Sequence, residues 1–153
     1  MSWEFMIHAY RAEHDPVRLL LDNGRALPLP GTQPWPTASQ LVAALAAAGL
    51  RGQLGFEIVG LDLPRHDWEE YDHSRDLGTV YLGGDASARH PDARIGRITL
   101  YKPGESTLAA TLAIRHLLGP VVVVACDDDL EDGGLLVRPD DDSTMLAEVW
   151  PWP

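Results

Sequence analysis

Apolar residues fall along this chain in short alternating runs and two longer helical stripes, with Gly and Pro between them. Trp3 to Tyr10 is apolar with Glu4 and His8 interspersed, which predicts a first strand. Arg11 to Pro16 is polar and ends in Asp-Pro, a turn signal. Val17–Asp22 and Arg25–Leu29 flank Asn23-Gly24, a pair that supplies the positive φ values of a tight hairpin turn. Pro28 and Pro30 would confine the second arm of that hairpin to a sheet edge, and the prolines from Pro30 to Pro36 enforce irregular backbone. Leu54–Leu63 predicts a strand with Phe56 and Ile58 on one face, and Thr79–Leu82 a short one closed by Gly83-Gly84. Arg94–Lys102 alternates cleanly, with Ile95, Arg97, Thr99 and Tyr101 opposite Ile98 and Leu100.

Two stretches carry helical spacing. Leu41, Val42, Leu45 and Ala48 line one face, with Thr37 or Ser39 as the start signal and Gly49 as the stop. Leu108, Leu112, Ile114, Leu117 and Leu118 mark a second helix from about Ser106 to Leu118, with Ser106 or Glu105 as the expected cap and Gly119-Pro120 as the end. Val121–Cys126 is apolar at every position, the pattern of a strand covered on both faces, and Leu135–Arg138 is expected to pair beside it. Met145–Trp152 reads as a last strand or a short helix, because Trp150-Pro151-Trp152-Pro153 cannot extend a helix. Strand and helix do not alternate strictly, which disfavours a doubly wound sheet. The expected fold is one α+β domain over residues 1–153, a mostly antiparallel sheet with two main helices packed on one face.

Charge narrows the function. The 153 residues carry 12 Lys and Arg against 23 Asp and Glu, a formal net charge of −11. Phosphate backbones and anionic membrane surfaces repel such a chain, so neither nucleic acid nor membrane is an expected partner, whereas a basic protein would be steered toward it. Cys126 is the only cysteine, so no disulfide forms within the chain. The start, MSWEFMIHAY, lacks the basic and continuous apolar regions of a signal peptide, and Leu41–Leu50 is about half of the ~20 residues that span a bilayer. A cytoplasmic location is expected. No oligomeric state and no cofactor can be read from the residues.

The densest charge lies between Asp127 and Asp142, where Asp127, Asp128, Asp129, Glu131, Asp132, Asp140, Asp141 and Asp142 face one arginine, Arg138. Asp127 and Asp129 have the Asp-x-Asp spacing of haloacid-dehalogenase enzymes, but the later lysine and acidic pair of those enzymes have no counterpart downstream. A calcium loop fails too, because Asp132 stands where glycine is required and Arg138 where a bidentate glutamate is required. The run therefore reads as a solvated acidic face or a protein-binding surface. A second cluster, Pro64–Asp76, places His66, Glu69, Glu70 and His73 at i, i+3, i+4 and i+7. On a helix these would form one stripe able to hold zinc, against the plainer reading of a solvated segment anchored by Trp68 and Tyr71.

Other residues point less to chemistry. Cys126 adjoins three aspartates, which oppose a reactive thiolate, so it reads as structural. Ser106 lies in Pro-Gly-Glu-Ser and not in Gly-x-Ser-x-Gly, so it reads as a cap and not as a nucleophile. Of five tryptophans, Trp3 and Trp68 are expected in the core. Trp35, Trp150 and Trp152 are expected to be partly exposed, where they would serve as anchors for a partner.

The strand end Leu100-Tyr101-Lys102-Pro103-Gly104-Glu105-Ser106, the alanine-rich helix, Leu118-Gly119-Pro120 with its valine run, and the acidic loop resemble small actinobacterial and myxobacterial immunity proteins of polymorphic-toxin systems. The resemblance covers roughly residues 94–132 and carries no catalytic residues with it. It implies a non-enzymatic inhibitor that occupies the cleft of a basic cognate toxin. The alternative is a small metal-dependent enzyme or metal-binding regulator built on His66, Glu69, Glu70 and His73.

Overall fold

A computed structural model describes residues 3–12, 15, 17–83, 89–126 and 133–153. It is an α+β structure built on one seven-stranded mixed sheet. The strands are β1 (Glu4–Ala9), β2 (Val17–Leu19), β3 (Arg51–Leu54), β4 (Asp76–Gly83), β5 (Arg97–Tyr101), β6 (Val122–Cys126) and β7 (Gly134–Val137). The helices are α1 (Ala38–Ala47), α2 (Thr107–Leu118) and α3 (Ser143–Val149). Spatial order is β2-β7-β6-β1-β5-β4-β3. The four inner pairings are antiparallel, and the two edge pairings, β2 with β7 and β3 with β4, are parallel. Among the described residues no helix is long and apolar enough to cross a membrane.

The period-two pattern explains the sheet. In β1, Phe5 and Ile7 are buried while Met6 and His8 are half-buried. Val80 and Leu82 of β4, and Ile98 and Leu100 of β5, repeat this beside it in register. These side chains join Leu41 and Leu45 of α1, Ile114 and Leu118 of α2, and Leu146 of α3 in one apolar cluster. Truncating a fully buried Leu or Ile here to Ala would cost about 2–5 kcal/mol, through lost transfer energy and the cavity left behind. In β6 every residue is buried, as its unbroken apolar run predicts. Val122 and Val124 enter the large cluster, and Val121 and Val123 meet Tyr10 and Leu136 in a second one.

The helix starts differ from each other. Thr37 caps α1 in a reciprocal box: its Oγ1 accepts from the Gln40 amide at 3.2 Å, and the Gln40 side chain accepts from the Thr37 amide at 2.8 Å. At α2, Ser106 makes no capping bond, contrary to expectation; its hydroxyl donates to the carbonyl of Asp76. The C-terminal segment resolves as α3, with Asp142 accepting from the amides of Thr144 and Met145.

Two strand expectations fail. No hairpin forms at Asn23-Gly24. The turn itself is present, with Gly24 at φ 71° and the Asp22 and Asn23 side chains accepting from the Gly24 and Arg25 amides. The second arm is diverted because the Arg25 guanidinium reaches Asp140 and Asp141, and β2 pairs in parallel with β7 instead. The strand expected over Leu54–Leu63 is replaced by β3, which ends at Leu54, and by a tight turn that closes through an Ile58–Leu61 bridge with Gly60 at φ 79°.

Candidate functional site

The Pro64–Asp76 segment leaves β3 and returns to the sheet as β4. It is not a helix. It forms two short 3-10 turns, Trp68–Glu70 and His73–Arg75. Asp67 caps the first by accepting from the Glu69 amide at 3.0 Å, and Asp72 caps the second by accepting from the Ser74 amide at 2.9 Å. The Ser74 hydroxyl bond in particular holds the Asp72 carboxyl below its usual range.

The expected metal stripe therefore does not assemble. His66 is turned inward, Glu69 and Glu70 are exposed, and His73 lies edge-on to the Tyr71 ring at 4.7 Å. Among the described residues no group of three or more His, Cys, Asp or Glu side chains is placed to hold a metal ion.

The segment is organised instead by Asp76, at the first position of β4. Its carboxylate accepts from His66 Nε2 at 2.9 Å, from the Gly78 amide at 2.8 Å and from the Tyr71 hydroxyl. Its carbonyl accepts from the Gly104 amide and the Ser106 hydroxyl. A half-buried carboxylate with three donors is well satisfied, and it ties three parts of the chain together. The hydrogen bond to Asp76, with burial adding to it, pushes Tyr71 up to about 12, so the phenol stays a donor. With Nε2 engaged by the carboxylate, His66 Nδ1 has no partner among the described residues.

Trp68 stands over this base. Its ring stacks on Tyr71 at 5.4 Å with planes 21° apart, and the residue is 79% exposed, where the core was expected. Asp67, Glu69 and Glu70 surround it and form no ion pair among the described residues. Below Trp68, toward the sheet, lies a 350 Å³ pocket lined in part by Arg65, His66, Thr79, Tyr101 and Lys102.

The acidic site expected from the sequence is divided. Asp127, Asp128, Asp129, Glu131 and Asp132 lie outside the described residues. Asp140, Asp141 and Asp142 are engaged within the chain and do not form an open anionic face. Asp140 and Asp141 each meet a nitrogen of Arg25 at 2.6 Å. Asp141 is only 4% exposed and also accepts from the Arg138 amide at 2.9 Å, while Asp142 caps α3. The pairing lowers the Asp140 carboxyl and raises the Arg25 guanidinium, the side-chain hydrogen bond being the main cause in both.

The three expected tryptophan anchors are packed against the chain itself. Trp150 and Trp152 lie against Phe5 at 6.0 and 5.1 Å, and Trp150 Nε1 donates to Thr107 Oγ1 at 2.9 Å. Trp35 is half-buried beneath Arg11 and fills the space beside Gly96, where a Cβ would sit 2.7 Å from its ring. Sequence reasoning placed Asp76 at the end of the charged cluster and Thr79, Tyr101 and Lys102 in strands without giving any of them a role at a site, although Lys102 stands out as the sole lysine. No protein-family model, curated protein or solved structure matches this chain.

Proposed function

We propose that this chain is a non-catalytic binding domain for a basic protein, an inhibitor of the immunity type, and that the Trp68 corner is its contact surface. One observation carries the reading: a large aromatic ring stands 79% exposed beside Asp67, Glu69 and Glu70, which form no ion pair among the described residues. An exposed indole beside Asp67, Glu69 and Glu70 suits an arginine- or lysine-bearing surface, since the ring face attracts a cation and the acids steer it. The formal charge of −11 adds long-range attraction. In this reading α1 and α2 share one face of the sheet, and the partner approaches from the β3 edge. The Asp127–Asp132 run adds to the attraction through its sequence charge alone.

The immunity role is tested by co-expression with the product of the neighbouring gene, read as protection from growth arrest together with a direct affinity measurement. Reversing Glu69 and Glu70 to lysine, which leaves the Asp67 cap in place, should weaken binding by about 100-fold or more and abolish protection, with the melting profile unchanged. Reversal of Asp128, Asp129 and Glu131 in parallel assigns the share of that run. Full affinity in the first variant removes the Trp68 corner from the interface; a neighbouring product that neither arrests growth nor binds removes the immunity role.

A further inference from the structure

The pocket beneath Trp68 is short of acceptors and rich in donors. Its carboxylate and side-chain amide acceptors are used within the chain. Both Asp76 oxygens are taken by His66, Tyr71 and Gly78. Gln53 Oε1 accepts from Arg65 at 3.1 Å, and Thr79 Oγ1 accepts from Gln53 Nε2 at 3.2 Å. Without a hydrogen-bond partner among the described residues are the Lys102 ammonium, the hydroxyl hydrogen of Thr79, the Tyr101 hydroxyl, the Trp68 indole N–H and His66 Nδ1, an acceptor while Nε2 donates to Asp76; donors outnumber acceptors.

Lys102 is notable on a second count. It is the sole lysine in a chain with 23 carboxylates, yet no carboxylate of the described residues meets it, and its Nζ lies 5.3 Å from the Tyr101 ring centre. Its φ of 52° is the only positive value among described residues other than glycine. The strain is held by its amide bond to the Trp3 carbonyl at 3.0 Å and by the close approach of Gly78, where a Cβ would sit 2.2 Å from the Tyr101 carbonyl.

From these observations we infer a second binding site: the pocket between Trp68, Tyr101 and Lys102 takes a small aromatic carboxylate. The carboxylate meets the Lys102 ammonium and the Thr79 hydroxyl, and the ring lies along the Trp68 and Tyr101 side chains. The volume of 350 Å³ falls at the small end of ligand pockets, which fits one or two fused rings. The negative charge of the whole chain opposes an anion. Asp76 also lines the pocket, but three donors occupy its carboxylate; exposed charges further off are screened within about 8 Å at physiological salt, so the free donors beside Lys102 decide. The inference shares Trp68 with the partner-binding reading but turns on Lys102 and Thr79, whereas that reading turns on Asp67, Glu69 and Glu70, so variants at Lys102 and at the glutamates tell the two apart.

Calorimetric titration of the intact chain with 2-naphthoate, 2-naphthamide and 2-naphthylmethylamine separates charge from ring. The naphthoate is expected to bind about fivefold more tightly than the amide. Lys102→Asn, which tolerates the left-handed backbone, should erase that preference, and Trp68→Ala should weaken both ligands. A melting profile matching the parent confirms that each variant is folded. Equal affinities, preference for the amine, no saturable binding up to the solubility limit, or a preference that persists in folded Lys102→Asn would each overturn the inference.

Discussion

Asp76 shows how much one side chain can organise. Its carboxylate receives an imidazole and a phenol from the loop before β4 and a backbone amide from β4 itself. Removing the phenol tests its share. Tyr71→Phe should lower stability by about 1 kcal/mol at neutral pH, the net worth of one hydrogen bond, measured by urea denaturation. The pH dependence has a definite sign. Tyr71 in the folded chain is raised from 10.0 to about 12, so its contribution is complete below 10 and is lost as pH climbs toward 12. The gap between parent and variant should therefore close over that interval. A gap that widens with pH would mean the phenol is not bonded to the carboxylate.

Among the elements, β1 and α1 follow the hydrophobic pattern because side-chain period and burial coincide, and β6 and β7 because an unbroken apolar run is buried on both faces. Helix α2 forms where expected but buries Thr107, Ala110, Thr111, Ile114 and Leu118, leaving Leu108, Leu112 and Leu117 half-buried. Of the two start signals the sequence offers for α1, Thr37 and Ser39, it is Thr37 that caps it. Thr37→Ala should cost about 1 kcal/mol, seen as a lower urea midpoint with an unchanged slope. An undiminished midpoint would deny the capping box its role. The failures have a common physical origin in long-range partners. Asn23-Gly24 makes its turn, but Arg25 is drawn to Asp140 and Asp141 more than a hundred residues away. Phe56 alternates like a strand residue but packs edge-on to Tyr81. Ser106 looks like a cap and serves Asp76. The candidate site was half legible. Its loop stood out by composition, whereas Asp76, Thr79 and Lys102 come to it only through the pairing of β3, β4 and β5.

At the scale of the molecule, net charge sets both solubility and association. With −11 formal charges, self-repulsion opposes the compact state, and added sodium chloride screens it. The melting temperature should rise by a few degrees between low salt and about 0.5 M, where the screening length falls to roughly 4 Å. Association with a basic partner should weaken over the same range, mainly through a slower on-rate. A melting temperature that falls with salt would mean that attractive ion pairs, such as Arg25 with Asp140 and Asp141, outweigh the repulsion.

The position of β1 has a consequence for how the chain folds. It precedes the other described strands along the chain, yet it sits in the middle of the sheet, and its two neighbours are β5 at residues 97–101 and β6 at residues 122–126. Until both have been synthesised, Phe5 and Ile7 lack their neighbours on either side and the nascent strand exposes two unpaired edges. Such distant pairing implies slow folding with a late, concerted closure. Cells making this protein have to shield an apolar strand until β6 has been made, and a ribosome stalled before β6 would release a chain prone to aggregate.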